Sequence, residues 1–387
     1  MKKCRVCFLL VFVSGLLVGC HTSRQITVDL TGNSNLEYTV YEEQEGVPGY
    51  IALEEYRVEI PQDSWCTDSC MYGDKIYYAI SYSDHMLTQE TGEHISFEEK
   101  YSTRIYAYDC GTGKEELLYC YDLPYCIDVH NMCCNGSGLF WTDTISRGEW
   151  RGDYLWRIFK LELQQEAESD RKAEPEVILD SDSAGSEQWD IIFTLAPEAL
   201  YWREPVGKDR NTIYRYDLLT EEITREQEEF YRYSSYWSIE IAEQVMTICT
   251  LTEDGNSCIV IKNMDTGDEA SLLVDGKATG PVSNGRLCVW SEDTYYRNLI
   301  YKYDMETEEL ERIQVPGIFS YEIIGDKLFI NDADTIWCYE DGAKTALFAP
   351  DEKVSYFSTI AAGQSIYGNG SITLDPVLYI YRLTVTE

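Results

Sequence analysis

The chain has 387 residues, of which 44% are hydrophobic and 13% aromatic, and its formal net charge is −37 at pH 7. This hydrophobic content excludes a disordered acidic tail, and the length excludes a small scaffold held together by disulfides. So large an excess of carboxylates also argues against binding to nucleic acid or to anionic lipid surfaces, because both need clustered Lys and Arg. The composition therefore predicts a globular, acidic protein with a sizeable core.

The first twenty residues have the layout of a secretory signal. Lys2, Lys3 and Arg5 form a positively charged start. An apolar run follows over 6–18, which is too short for a comfortable transmembrane helix of about 20 residues. We therefore expect a segment that directs export and does not span the membrane.

The apolar run ends in LVGC at 17–20, which resembles the lipobox of bacterial lipoproteins. The resemblance implies that Cys20 is diacylated on sulfur and that the signal peptide, residues 1–19, is removed. The residues that follow are polar and lack periodicity, so we expect a flexible tether over 20–35 and one domain over 36–387. The expected location is the extracytoplasmic side of the cell membrane, held there by the lipid on Cys20.

Cysteine usage favours free thiols over a disulfide framework. Of the fourteen cysteines, three belong to the first twenty residues, so eleven remain in the mature chain. Because eleven is odd, at least one thiol stays unpaired in a monomer, and most lie inside strand-like runs where they act as small hydrophobes. Pairing of Cys66 with Cys70, and of Cys249 with Cys258, stays open.

The rest of the chain is a series of strand pairs, each an apolar strand followed after a variable loop by a strand of the type RIYAYD and a polar turn. The upstream strands are predicted at 75–82, 139–144, 199–204, 244–251, 286–292, 327–332 and 364–368, with partners that begin near Ile105, Ile158, Ile213, Ile259, Ile300, Ile336 and Leu378. The partners recur every 36 to 55 residues, a spacing typical of one four-stranded propeller blade per unit. The sequence therefore predicts an all-β fold, a β-propeller with seven four-stranded blades, with six or eight as alternatives.

The last unit ends after its third strand. A strand near the N-terminus, at 56–60, is expected to complete that blade and close the ring, because closure removes an exposed sheet edge. Large aromatic residues recur at corresponding positions and are expected to pack between blades: Tyr77, Trp141, Tyr201, Trp290 and Phe329.

The repeated pattern, an aromatic strand followed by I-Y-x-Y-D-x-x-T-G-x-E, resembles the propeller lipoproteins of bacteria, with TolB-like repeats and YWTD propellers as relatives. FWTD at 140–143 differs from YWTD by one residue, and Tyr201-Trp202 keeps its first half. The resemblance implies a fold but gives no information about an activity. YWTD propellers have six blades, which differs from the seven units counted here.

Propeller connectivity sorts the loops onto two faces. With strands A to D named from the axis outward, the B–C and D–A loops share one face, and the A–B and C–D loops share the other. The repeated turns at 109–115, 217–222, 265–269, 304–309 and 340–344 are short, acidic and typical of ordinary turns between strands C and D. The long loops at 83–102, 145–153, 205–211, 226–240 and 293–298 gather on the opposite side, which we call the long-loop face.

The long loops are enriched in basic and aromatic side chains relative to the rest of this acidic chain. They carry Arg147, Trp150, Arg151, Lys208, Arg210, Tyr231, Arg232, Tyr233, Tyr236, Trp237, Tyr295, Tyr296 and Arg297. Aromatic rings stack on sugars, and Arg binds carboxylate or phosphate with two hydrogen bonds. We interpret these residues as a ligand-binding face for an anionic glycan or an envelope protein. The alternative is that they only balance nearby carboxylates, such as those in the loop at 83–102.

Catalysis finds little support in the sequence. The motifs Gly-x-Ser-x-Gly and His-Glu-x-x-His, the P-loop and the Rossmann fingerprint are all absent. Outside the tether, histidine occurs only at 85, 94 and 130. The alternative function is a hydrolase or lyase acting on envelope glycans, which predicts a cleft on the long-loop face with convergent carboxylates or one of these histidines.

One compact set of soft metal ligands occurs, at Cys126, His130, Cys133 and Cys134. Thiolate and imidazole suit zinc or copper, but this spacing matches no standard ligand motif. We therefore expect no metal and no other cofactor. The sequence as a whole predicts a monomeric, lipid-anchored, non-catalytic binding or scaffolding module that contacts the membrane through its lipid alone.

Overall fold

A computed structural model describes residues 24–33, 36–61, 64–83, 101–121, 127–136, 138–146, 154–163, 174–184, 191–206, 210–231, 239–242, 244–252, 254–292, 299–315, 317–318, 320–332, 335–348, 357–362, 365–371 and 377–385. These residues form thirty strands and one short helix, α1 (Ser181–Ala184). The strands build seven four-stranded blades in a ring. The fold is a seven-bladed β-propeller, as the sequence predicted, and the six-blade count of YWTD propellers does not apply.

Three strands precede the first complete blade in the chain: β1 (Gln25–Asp29), β2 (Glu42–Gln44) and β3 (Ile51–Glu59). Blade 1 consists of β4 (Ser64–Tyr72), β5 (Lys75–Ser83), β6 (Tyr101–Asp109) and β7 (Lys114–Cys120). Blade 2 consists of β8 (Ile127–Cys134), β9 (Gly138–Ser146), β10 (Tyr154–Glu162) and β11 (Glu176–Asp180). Blade 3 consists of β12 (Phe193–Leu195), β13 (Ala199–Val206), β14 (Arg210–Asp217) and β15 (Ile223–Tyr231).

The remaining blades follow the same antiparallel order. Blade 4 consists of β16 (Glu240–Ala242), β17 (Val245–Leu251), β18 (Ser257–Asn263) and β19 (Glu269–Val274). Blade 5 consists of β20 (Ala278–Ser283), β21 (Leu287–Glu292), β22 (Leu299–Asp304) and β23 (Glu309–Gln314), and blade 6 of β24 (Ser320–Ile324), β25 (Lys327–Asn331), β26 (Ile336–Glu340) and β27 (Ala343–Phe348). Blade 7 consists of β28 (Phe357–Ala362), β29 (Ser365–Ser371), β30 (Val377–Val385) and β3.

Blade 7 joins the two ends of the chain. β3 pairs antiparallel with β30 over nine residues, from Ile51 opposite Val385 to Glu59 opposite Val377. Val58 is buried and packs in a cluster that contains residues of blades 7 and 1. The predicted closing strand is therefore confirmed, and it begins at Ile51, earlier than the predicted 56–60.

The recurring aromatic residues pack between blades, as predicted. All five are buried: Tyr77, Trp141, Tyr201, Trp290 and Phe329. Tyr77 of blade 1 and Trp141 of blade 2 share one apolar cluster, and the Trp141 ring stacks on Phe159 with centroids 5.3 Å apart. Each blade face is thus covered by its neighbour, which a single sheet cannot achieve alone.

The described residues between 24 and 50 run along the outside of blades 4, 5 and 6, and we call them the N-terminal belt. β1 pairs in parallel with β19 of blade 4, and β2 pairs in parallel with β27 of blade 6. Between them, Thr39 forms a parallel bridge with Ile313 of blade 5. Gln25–Asp29 is therefore a strand on blade 4, which differs from the flexible tether that the sequence predicted for 20–35.

One arginine of blade 5 holds the middle of the belt. The Arg312 guanidinium lies over the Tyr38 ring, 4.6 Å from its centroid, and donates a hydrogen bond of 3.1 Å to the carbonyl oxygen of Leu36. Its own backbone carbonyl accepts from the N–H of Thr39 at 2.8 Å. Cation–π and backbone contacts from a single residue thus join the belt to the ring. Within the described part of the chain, no helix is long and apolar enough to cross a bilayer.

Candidate functional site

The long-loop face receives the loops that the sequence proposed for binding. Their flanking strands are B and C or D and A strands of the same blade or of neighbouring blades, so these loops leave the ring on one side. Most of the proposed side chains lie outside the described residues: Arg147, Trp150, Arg151, Lys208, Arg232, Tyr233, Tyr236, Trp237, Tyr295, Tyr296 and Arg297. Cys20 also lies outside them.

For two of the proposed binding residues, Arg210 and Tyr231, the structure describes the backbone. Arg210 of β14 pairs with Tyr231 of β15 at the end of blade 3 that borders the long-loop face. Tyr231 also pairs with Leu251 at the end of β17. Blades 3 and 4 are therefore joined at this face by one backbone pair, and Arg210 and Tyr231 lie at that point.

A buried ion pair lies in blade 2 near the long-loop face. Asp143 of β9 is fully buried, and Arg157 stands opposite it on β10. The Arg157 Nε donates to Oδ1 at 3.0 Å, and a terminal nitrogen donates to Oδ2 at 2.5 Å. This two-pronged pair ties together the two strands that flank the loop at 147–153.

A tyrosine from blade 1 extends this polar cluster. The Trp141 indole N–H donates to the Tyr121 hydroxyl at 2.8 Å, and that hydroxyl in turn hydrogen-bonds the Asp143 carboxylate. Burial raises the pKa of Asp143, while the hydrogen bonds from Arg157 and Tyr121 lower it in part. The Trp and Asp of the FWTD sequence therefore act in the scaffold, beneath the long-loop face.

His130 lies close to two carboxylates at the inner strands of blades 1 and 2. Its charge lowers the pKa of both Asp68 and Asp143, although burial is the larger effect and raises both values. Of the three histidines considered from the sequence, His85 and His94 lie outside the described residues. His130 is thus the described histidine with an electrostatic effect on two acids, which is the feature that a hydrolase or lyase would build on.

The Asp68 carboxylate is already occupied by backbone groups. It accepts the N–H of Ser69 at 2.7 Å and, across the blade boundary, the N–H of Met132 at 2.8 Å. The Met132 N–H lies in a bulge of β8 between His130 and Cys133, where Asn131 has a positive φ of 56°. Both carboxylates near His130 therefore hold the scaffold together.

The weak metal candidates do not converge. Cys126 lies outside the described residues, and no group of three His, Cys, Asp or Glu side chains in the described ranges is arranged to hold a metal ion. Cys134 packs into the cluster between blades 1 and 2, whereas Cys133 packs into the cluster with Phe140 and Trp156. Successive strand residues point to opposite faces, so the two adjacent thiols are separated by the sheet. Burial also raises the pKa of the Cys133 thiol well above its usual value, which disfavours the thiolate that a metal needs.

The ten cysteines in the described residues are all unbridged. Cys66 and Cys70 therefore do not pair with each other, nor do Cys249 and Cys258. This agrees with the expectation that the thiols pack as small hydrophobes.

A second buried acid was missed by sequence reasoning. Glu204 of blade 3 is 7% exposed and accepts the Trp202 indole N–H at 2.9 Å. The sequence does contain a signal for this acid. Glu204 stands two residues after Trp202, just as Asp143 stands two residues after Trp141. These matched positions lie near the long-loop end of strand B in consecutive blades.

In the short turns on the opposite face, the carboxylates accept hydrogen bonds from backbone N–H groups of the same turn. Asp109 accepts the N–H of Thr112 at 2.7 Å, and Asp217 accepts the N–H of Thr220 at 2.8 Å. Hydrogen bonds from Thr220 and then from Arg215 lower the pKa of Asp217 to about 2. The prediction that these are ordinary turns is confirmed, and their carboxylates serve the turns themselves.

The chain matches no known protein-family profile and no curated protein sequence. It is similar in structure to the acylaminoacyl peptidase of Pyrococcus horikoshii, with a TM-score of 0.55 and 13% identity over 85% of this chain and 54% of that one. It is also similar to the β-propeller domain of the Trilobed protease from Pyrococcus furiosus, described as having an open velcro topology, with a TM-score of 0.53 and 12% identity over 84% of this chain and 99% of that one.

TolB from Acinetobacter baumannii matches with a TM-score of 0.36 and 12% identity over 79% of each chain, a score too low to relate the two closely. The likeness to the Pyrococcus proteins is one of fold. The chain spans about half the length of the Pyrococcus horikoshii peptidase.

Proposed function

We propose that the protein is a lipid-anchored, extracytoplasmic propeller that binds an envelope protein or an anionic glycan through its long-loop face, without catalysis. The observation that carries this proposal is the topology. All the loops with the thirteen basic and aromatic side chains leave the ring at one face, while the acidic short turns occupy the other. Arginine side chains and aromatic rings gathered on one face can bind an anionic partner.

The scaffold beneath this face supports a binding role. Asp143 is held by Arg157 and Tyr121, and Glu204 by Trp202, so these buried acids fix the strands from which the loops start. Rigid strands fix where each loop begins and ends, which lowers the entropic cost of ordering the loop on binding. The anchor is supported by the lipobox at 17–20, because lipid modification with two or more acyl chains holds a protein firmly at a membrane.

The test uses the mature domain and two triple variants. Replacement of Arg151, Trp237 and Tyr296 by Ala is expected to abolish binding to anionic envelope glycans or to the envelope proteins captured by the wild type. The matched control replaces Lys114, Leu219 and Thr266, exposed residues of the short-turn face, and should bind like the wild type. Unchanged binding by the first variant contradicts the proposal.

A second candidate, a hydrolase or lyase acting on envelope glycans, is favoured by the position of His130 near Asp68 and Asp143. It requires that the wild type releases new reducing ends or unsaturated sugars from such glycans. His130→Gln should then lose that activity and keep glycan binding. Absence of product from the wild type contradicts this candidate and leaves the binding proposal intact.

A further inference from the structure

The N-terminal belt joins the ring at a defined edge. The Arg24 N–H donates to Oδ1 of Asp268 at 2.7 Å, and the N–H of Glu269 donates to the Arg24 carbonyl oxygen at 2.8 Å. Asp268 is the last residue of the short turn between β18 and β19. The described chain therefore begins on the short-turn face, at the outer edge of blade 4.

From this edge the chain runs toward the long-loop face. β1 is parallel to β19, in register from Gln25 opposite Glu269 to Asp29 opposite Leu273. Beyond the strand, the N–H of Gly32 donates at 2.8 Å to the side chain of Asp275, which follows β19 on the long-loop side. The direction of the belt is thus fixed by contacts at both of its ends on blade 4.

Side-chain packing adds to this fixation. Val28 and Leu30 are partly buried against the apolar cluster between blades 4 and 5, which contains Leu272 and Trp290. The Leu30 N–H also donates to the carbonyl oxygen of Leu273 at 2.8 Å. Because backbone ladder and apolar contacts act together, residue 24 is a fixed point on the domain and not the middle of a loose tether.

Only three residues lie between Cys20 and Arg24, and the four steps of an extended chain from one to the other reach at most about 14 Å. We infer that the lipid on Cys20 holds the short-turn edge of blade 4 next to the bilayer and directs the long-loop face away from it. The partner of the long-loop face is then a polymer or protein on the side of the domain that points away from the bilayer. It is not a protein embedded in the same membrane. This inference rests on the proposed lipid anchor.

Charge keeps the short-turn face from lying flat on the lipid. The short turns carry many carboxylates, and anionic headgroups repel them. The anchor therefore holds blade 4 at its edge, while repulsion keeps the remaining short turns off the surface.

The test measures energy transfer from the lipidated full chain to an acceptor-labelled lipid in phosphatidylcholine vesicles. A fluorescent amino acid is placed either at Asp265, in the short turn of blade 4, or at Asp254, on the long-loop side of the same blade; both positions are exposed. Transfer should be high from position 265 and largely lost at position 254. Thermal unfolding of both labelled proteins should match that of the unlabelled one.

The outcomes separate the orientation from the anchor. Equal transfer from the two positions, or greater transfer from 254, in protein that floats with the vesicles overturns the orientation and leaves the anchor standing. Failure of both labelled proteins to float, as expected for a Cys20→Ala control, overturns the anchor and the orientation with it.

Discussion

Arg157 holds the fully buried carboxylate of Asp143 with two hydrogen bonds, of 3.0 Å and 2.5 Å, across the pair of strands that flank a predicted binding loop. A carboxylate removed from water is costly unless a cation or several donors replace its solvation. The hydroxyl of Tyr121, from blade 1, supplies a further donor. Blade 2 therefore depends on this pair just beneath the long-loop face.

Replacing Arg157 by Leu should leave Asp143 buried without its cation. The expected loss is about 3–5 kcal/mol of unfolding free energy, measured by urea denaturation. Lys160→Ala, on the same strand, is the control because its 3.5 Å pair with the exposed Glu162 should contribute less than about 1 kcal/mol. Equal effects of the two substitutions would contradict the importance of the buried pair.

Arg312→Ala should release the middle of the N-terminal belt. The substitution removes both the contact with the Tyr38 ring and the hydrogen bond to Leu36. Limited proteolysis should then cut between residues 30 and 50 faster than in the wild type, with the ring itself intact. Arg286→Ala removes an ion pair with Asp304 in the same blade, makes no contact with the belt, and should leave the cleavage rate unchanged.

Two N-terminal deletions should differ sharply in their effects. A chain that begins at residue 34 loses β1 but keeps β3, so it should remain folded and monomeric with a moderate loss of stability. A chain that begins at residue 60 lacks β3 and exposes the whole edge of β30, which invites association between chains. Size-exclusion chromatography and chemical denaturation check this, and a stable monomer of the shorter chain would disprove ring closure by β3.

Acid should weaken the short turns through Asp217. Its pKa is about 2 in the folded protein, below the ordinary value of 3.8. A lowered pKa stabilises the folded state above the unfolded value, and this contribution disappears as the pH falls through the folded value. The loss of stability caused by Asp217→Asn should therefore be full near neutral pH and shrink between about pH 4 and pH 2. Leu219→Ala, in the same turn, should have an effect that does not change with pH.

Thiol labelling under native conditions should be selective. Of the described cysteines, Cys120 is the exposed one, while Cys249, Cys288 and Cys338 are buried and burial raises the pKa of each thiol. We expect rapid reaction at Cys120 and reaction of the others only after unfolding. Mass mapping of the labelled peptides without reduction checks this. Rapid labelling of Cys288 in the native protein would contradict this expectation. So would two cysteines that stay unlabelled after unfolding because a disulfide joins them.

The ring could be predicted from the sequence because each blade repeats a side-chain pattern. The turns after Asp109 and Asp217 recur with the blade spacing, and large buried aromatic residues such as Tyr77 and Trp141 recur in the second strand of several blades. The closing strand could be predicted because three C-terminal strands leave one place open in a four-stranded blade.

The belt could not be predicted, because its strands have little side-chain pattern of their own. β1 is mostly exposed, and β2 is exposed at all three residues. Both bind through backbone groups to edges that exist only once blades 4 and 6 have formed. The position of His130 near Asp68 could not be predicted either, because it depends on a bulge in β8 and on the packing of two blades.

β3 has a consequence for how the chain is made. Its last residue, Glu59, pairs with Val377, so the place for this early segment appears only when the end of the chain has been synthesised. Contacts between such distant residues form late, because a long loop must close first. A product that stops before β30 would present a loose N-terminal segment and an incomplete ring to cellular proteases. The last blade therefore closes only in chains that contain β30.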